Sequence, residues 1–203
     1  MERIAEPDSL MLCFGKKVPS LVLASSSPNR KALLEASGCR VSVFVPDADE
    51  TRDGDTPESI VSAIAGRKLE AYLSSPSYDP EAIAIAADTL VLIDGRLLGK
   101  PDDREDARRI LSTLSGRTQT VISAAALKAP ERDPEVIVDE ADVLFRTLSE
   151  EEIESYLSTG EWQGAAGGYR LQKTGYTLIE RIDGDWTTVV GLPLRAILDR
   201  IQP

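Results

Sequence analysis

Leu21-Val-Leu-Ala-Ser-Ser-Ser-Pro-Asn-Arg-Lys-Ala-Leu-Leu34 sets a short apolar run against three hydroxyl residues and then a proline-led segment. Leu21 to Ala24 reads as a buried strand. Ser27 suits a helix N-cap, because its hydroxyl can accept from an orphan backbone N–H, and Pro28 suits the first helical position, where no N–H is needed. The helix is expected to end at Gly38, after which Val41 to Val45 reads as a second strand running into the acidic loop Asp47-Ala-Asp-Glu-Thr51. Thr56-Pro57 restarts helix. Apolar residues at 60, 61, 64, 65, 69, 72 and 73 form one stripe, and Lys68 falls inside it, between Ile64 and Tyr72. This lysine is expected to face inward.

Further along, Ile83 to Ala87 is a continuous apolar run ending at Asp88-Thr89, and Leu90 to Ile93 continues as strand into an Asp94-Gly95 hairpin turn. Asp102 or Asp103 can cap a helix carrying Ala107, Ile110, Leu111 and Leu114, stopped by Gly116. Strand-like runs follow over 118–128 and 136–146. Ser149 and Glu152 form a capping box for a helix through about Ser158. The segment Gly160 to Gly168 reads as a loop. Tyr176 to Ile182 and Trp186 to Val190 read as a hairpin across Asp183-Gly184-Asp185, and Pro193 opens a final helix. Strands and helices alternate first and long hairpins enter later, a pattern that means α/β with a mixed sheet.

Composition narrows the chemistry. The chain has 203 residues, 23 Lys+Arg against 34 Asp+Glu for a net charge of −11, 42% hydrophobic residues, no histidine and two cysteines. That length suits one compact domain, read as 19–203 behind an N-terminal extension over 1–18. Without histidine there is no Ser-His-Asp or Cys-His relay and no imidazole base, so acid/base work falls to carboxylates or lysines. Cys13 and Cys39 form no CxxC pair, which argues against a zinc site or a disulfide framework. The apolar run Leu10 to Phe14 is too short for a signal-peptide core, and the reading is of a soluble, cytoplasmic protein. The acidic balance argues against binding to nucleic-acid polymers or anionic membranes, because the long-range field repels both.

Several residues could carry chemistry. In Ser25-Ser26-Ser27-Pro28-Asn29-Arg30, hydroxyls, helix N-terminal amides and a guanidinium can converge on an anion, although alone the stretch reads first as an ordinary capped helix. Neither Walker A nor Gly-x-Gly-x-x-Gly is present. Asp88 ends an apolar strand, where α/β sheets place ligand-facing groups, and Gly99-Lys100-Pro101 follows in a turn; a solvated Asp and an exposed Lys are the plain alternatives. Lys68 needs an anionic partner if it faces inward, unless it snorkels. Asp47-Ala-Asp49-Glu50-Thr51 also fits the Asp-x-Asp-x-Thr pattern of haloacid-dehalogenase-type phosphatases, but Pro46 and Arg52 interrupt the apolar strand that this nucleophile requires.

Taken in order, Leu21 to Leu34, Asp49-Glu50-Thr51, Lys68, Ala87-Asp88-Thr89, Gly99-Lys100-Pro101, Leu114-Ser-Gly-Arg-Thr118, Phe145-Arg-Thr-Leu-Ser-Glu-Glu-Glu-Ile153, Ala166-Gly-Gly-Tyr169 with Gln172, and Val190-Gly-Leu-Pro-Leu194 resemble the Maf proteins. These are nucleoside triphosphate pyrophosphatases, historically called septum formation inhibitors. The resemblance spans about residues 20 to 198 and implies a three-layer α/β/α fold with an elongated mixed sheet and a cleft between two lobes, related to inosine triphosphate pyrophosphatases and usually dimeric.

It also implies roles by position. Asp88 matches the proton acceptor; Ser25, Ser27, Arg30, Lys68 and Lys100 fall at substrate-binding positions; Glu50 matches an acidic metal-side residue, with Asp88 as its companion toward Mg²⁺ or Mn²⁺. Asn29, Thr89 and Gln172 match three positions tied to base preference. The dTTP/UTP-directed branch typically carries Arg, Thr and Gln there, and the branch acting on methylated GTP carries Trp, Gln and Glu. Thr89 and Gln172 thus favour the pyrimidine branch, Asn29 belongs to neither, and Gly164-Ala165 stands where an Asp-Lys pair is usual. The implied reaction converts a nucleoside triphosphate to monophosphate and pyrophosphate. Its rivals are a phosphatase acting through Asp47 and Asp49, and a non-catalytic nucleotide sensor in cell division.

Overall fold

The computed structural model describes residues 20–201; the expected extension over 1–18 lies outside them. Ser27 caps the first helix as its position suggests: β1 (Ser20–Ala24) leads into α1 (Pro28–Ala36), with the Ser27 side chain accepting from Arg30 N. β2 (Arg40–Phe44) follows. Thr56 and Ser59 then form a reciprocal capping box at the start of α2 (Pro57–Leu73), whose buried face carries Val61, Ile64, Ala65, Lys68, Leu69 and Tyr72. The two apolar runs flanking Asp88-Thr89 are one strand, β3 (Ile83–Ile93), which turns at Asp94 and Gly95, both in the left-handed region, into β4 (Arg96–Leu98). Asp103 is the residue that caps α3 (Arg104–Leu114). β5 (Thr118–Lys128), β6 (Glu135–Phe145) and α4 (Glu150–Ser158) come next, α4 opening on the Ser149–Glu152 capping box. Two short 3₁₀ turns (Ala166–Gly168 and Thr174–Leu178), β7 (Ile179–Asp183), α5 (Trp186–Val190) and α6 (Leu194–Ile201) complete the chain.

Two expectations are wrong: the strand expected from Tyr176 begins only at Ile179, because Tyr176 to Leu178 lie in a 3₁₀ turn, and the next element is not a strand. Trp186 to Val190 is helix, not the second strand of a hairpin, and β7 pairs antiparallel with β6 instead. Asp185 explains the difference: its side chain accepts from Thr187 N at 2.9 Å while its carbonyl accepts from Thr188 N at 3.1 Å, so it starts a helical turn. The β-branched run Thr-Thr-Val-Val carried a strand signal that this capping overrides.

The strands form a mixed seven-stranded sheet of order β2-β1-β3-β5-β6-β7, with β4 alongside β3. β1 lies parallel to both β2 and β3, with Ala24 opposite Phe44 and Ala86. The chain packs as two compact units. The first comprises, among the described residues, 20–88, 123–139 and 191–201; the second comprises Thr89–Ile122 and Glu140–Val190. In the first, Leu21, Leu23, Leu34, Val61, Ile85 and Ile197 are buried, and Tyr72 of α2 tilts against Phe44 of β2 with ring centroids 5.2 Å apart. In the second, Ile110, Leu111, Val121, Phe145, Ile153 and Tyr169 belong to one apolar cluster, with Phe145 and Tyr169 edge to face at 5.0 Å. The chain passes between the units four times, three of them inside strands: at Asp88–Thr89 in β3, Ile122–Ser123 in β5 and Asp139–Glu140 in β6. No helix of the described residues is long and apolar enough to cross a membrane.

Candidate active site

Ser25, the first residue beyond β1, is buried, and its Oγ accepts from Ser27 N at 3.2 Å. The same oxygen receives Arg30 Nη1 at 3.2 Å. That nitrogen also donates to the carbonyl of Ala87 at 2.8 Å, and Arg30 Nε donates to the carbonyl of Gly191 at 2.7 Å. One guanidinium therefore ties the first turn of α1 to the residue before Asp88 and to the loop entering α6. Burial pushes the Arg30 pKa down, and the negative charges of Asp88 and Glu50 pull it back up. Arginine remains a cation under such opposing influences, so Arg30 sets a fixed positive charge beside Asp88.

Lys68 faces inward, as the stripe on α2 requires, with 9% of its side chain exposed. Its ammonium lies 2.8 Å from Asp88 Oδ1 and 2.8 Å from Glu50 Oε1. The two acids differ in setting: the Asp88 side chain is 15% exposed and that of Glu50 61%. Glu50 sits in the irregular segment 45–56, yet that segment has internal order. The Asp49 carboxylate accepts from Thr51 N at 2.8 Å and from Thr51 Oγ1 at 2.5 Å, bonds that hold its pKa below the usual carboxylate value. Arg67, the neighbour of Lys68, donates from Nε to the Asp49 carbonyl at 2.7 Å and from Nη2 to the Thr51 carbonyl.

Six of the residues singled out in the sequence thus meet in the first unit: Ser25, Ser27, Arg30, Glu50, Lys68 and Asp88. Asn29 is half-buried in the first turn of α1. Thr89, Lys100 and Gln172 belong to the second unit. There Gly167 N donates to the carbonyl of Gly99 at 3.1 Å, fixing the turn before Lys100, whose side chain is exposed, as is that of Gln172. Asp47 is exposed in the 45–56 segment, beyond the end of β2, without the strand-end support a covalent nucleophile needs. Cys39 is buried and its thiol pKa is raised by that burial, which leaves it a poor nucleophile.

A divalent cation fits this donor set within limits. Glu50 and Asp88 already converge on one positive group, the Lys68 ammonium, so the fold brings both carboxylates to a cation. Among the described residues no three His, Cys, Asp or Glu gather to hold an ion. The chain therefore offers two carboxylates, the number with which Mg²⁺ is commonly held when substrate phosphates complete its shell. Sequence reasoning missed Arg67, as well as the carbonyls of Ala87 and Gly191. Arg67 gave no signal beyond its place beside Lys68, and a backbone carbonyl has no sequence signature at all.

The profile of the family described as Maf-like protein matches residues 20–202. The dTTP/UTP pyrophosphatase of Thermus thermophilus is 45% identical over 183 residues, covering 90% of this chain and 94% of that protein. The dTTP/UTP pyrophosphatase of Bacillus velezensis is 41% identical over 175 residues, covering 86% and 90%. Among solved structures, the Staphylococcus aureus Ham1 protein aligns with a TM-score of 0.43 at 16% identity over 66% of this chain and 88% of that one. A profile match through all the described residues, with relatives this similar over nine-tenths or more of their length, places the chain in the Maf-like family.

Proposed function

We propose that this protein is a nucleoside triphosphate pyrophosphatase that hydrolyses dTTP and UTP to the monophosphate and pyrophosphate. The observation that carries the reading is the largely buried Asp88 carboxylate, held by Lys68 beside the fixed Arg30 cation. Relatives at 39–45% identity bear the name dTTP/UTP pyrophosphatase. In this reading water attacks the α-phosphorus, Asp88 accepts its proton, and the bond from that phosphorus to the bridging oxygen breaks. Lys68, Arg30 and Lys100 bind the polyphosphate and oppose the charge that grows on the leaving pyrophosphate. Ser25 and Ser27 supply hydroxyls at the N-terminus of α1, where backbone N–H groups also favour anions. Mg²⁺ or Mn²⁺ held by Glu50 and Asp88 offsets the combined charge of carboxylates and phosphates.

Base preference rests on Asn29, Thr89 and Gln172. A glutamine amide can donate and accept at once, and with the Thr89 hydroxyl it suits the O2, N3 and O4 edge of a pyrimidine. Asn29 lacks the reach and charge of arginine, so selectivity is broader than in a site with Arg there. In the same reading the enzyme acts as a cytoplasmic homodimer, which light scattering of the purified protein checks. The deciding experiment offers nucleoside triphosphates, methylated and noncanonical ones included, with Mg²⁺ or Mn²⁺ and quantifies every product. Monophosphate and pyrophosphate in equal amounts, fastest from dTTP and UTP, are expected. Orthophosphate as the main product favours the Asp47 phosphatase, and binding without turnover favours the sensor.

A further inference from the structure

Glu50 poses a mechanical problem. Its carboxylate meets a largely buried ammonium, yet its backbone belongs to a segment, 45–56, with no regular secondary structure. A side chain on such a segment is held only as well as the segment itself, and ordering the backbone there costs conformational entropy. Arg67 meets this cost at the place where it matters. Its two hydrogen bonds end on the carbonyls of Asp49 and Thr51, the residues immediately before and after Glu50. The Asp49–Thr51 side-chain turn closes the same three residues locally but does not attach them to anything else. Attachment comes from α2, which supplies Arg67 to the backbone on either side of Glu50 and Lys68 to its carboxylate.

We propose that Arg67 is a positioning residue for Glu50, holding that carboxylate at the cation position by clamping the backbone on both sides of it. The proposal rests on the reading of Glu50 as a metal-side residue of the pyrophosphatase. Arg67 needs no contact with nucleotide or metal in this role. A lysine cannot replace it fully, because a single ammonium lacks the planar fork that reaches two carbonyls at once.

The test compares wild type, Arg67→Met, Arg67→Lys, Glu50→Gln and Arg67→Met with Glu50→Gln, all checked for folding by thermal melting. Two readouts are taken: amide hydrogen exchange over 47–55 in the free protein, and Mn²⁺ affinity by titration in the presence of a non-hydrolysable dTTP analogue. Arg67→Met should speed exchange in that segment and weaken Mn²⁺ about tenfold, the low end of the range for removing a residue that orients a metal ligand. Arg67→Lys should fall between Arg67→Met and wild type. In the Glu50→Gln background, Arg67→Met should weaken Mn²⁺ no further. Unchanged exchange, unchanged Mn²⁺ affinity where Glu50→Gln does weaken it, or an equal loss in both backgrounds each overturns the proposal. Should Glu50→Gln itself leave Mn²⁺ affinity intact, the metal-side reading of Glu50 fails and the proposal with it, an outcome distinct from failure of the clamp alone.

Discussion

Lys68 shows how one side chain can be legible in sequence while its energetics are not. Its place within the apolar stripe of α2 dictates that it faces inward, and it does. Taken by itself, an inward cation is expensive, and Lys68→Met then promises to stabilise the fold. The structure reverses that sign, because two carboxylates already compensate the charge, and Asp88 has little water to replace it. Lys68→Met is therefore expected to lower stability by about 1–3 kcal/mol, the usual cost of stranding a partly buried polar partner. Urea unfolding at pH 7 measures it, and a gain in stability would contradict the pairing. Asp88→Asn is the complementary case. The amide keeps the shape and can still accept from Lys68, so the fold should survive, while turnover of dTTP falls about 10²- to 10⁴-fold if Asp88 is the base. Initial-rate measurements on protein with a native melting profile decide between that outcome and a purely structural Asp88.

Elements are legible in the chain wherever a side chain announces a boundary. Ser27, Thr56, Asp103 and Ser149 all cap helices, since an N-cap is a local device that distant packing seldom overturns. The failure at α5 has the same origin seen from the other side: Asp185 is a cap, but Asp183-Gly184-Asp185 between β-branched runs looks more like a hairpin turn. Asp185→Ala is expected to cost about 0.5–2 kcal/mol, read as a lower urea midpoint, because Thr187 N loses its acceptor. The second unit also carries an alkaline liability. Burial pushes the Tyr156 hydroxyl of α4 up to about 12 and raises that of Tyr169 as well, while both titrate near 10 once unfolded. The folded state thus holds protons that the unfolded state releases. Their contribution to stability is complete below pH 10 and declines as pH rises through the folded value. Melting temperature should accordingly drop above pH 10, with a shallower slope in Tyr156→Phe; an equal slope would mean that other groups dominate.

At the scale of the molecule, a net charge of −11 sets the protein against its own polyanionic substrate. The local cations do little at long range, because Lys68 is already paired with two acids. Screening should therefore relieve repulsion rather than weaken attraction, and kcat/KM for dTTP at saturating metal is expected to rise, not fall, as salt increases from about 0.01 to 0.1 M, a range over which the Debye length shrinks from roughly 30 to 10 Å. A steep fall would reveal a strongly positive entrance. The family resemblance implies two lobes, but where the chain divides was not legible, since no linker marks it and three of the four crossings between units lie within strands. It follows that neither unit is a continuous stretch of chain. The first needs residues from 191 onward, and Arg30 takes the carbonyl of Gly191, 161 positions later, as its Nε acceptor. During synthesis, then, the site's earliest cation waits for the segment from Gly191 to leave the ribosome. A nascent or clipped polypeptide ending before Gly191 displays the hydroxyls, the lysine and the aspartate with one of the three acceptors of Arg30 missing, so the guanidinium is fully anchored only once Gly191 is in place.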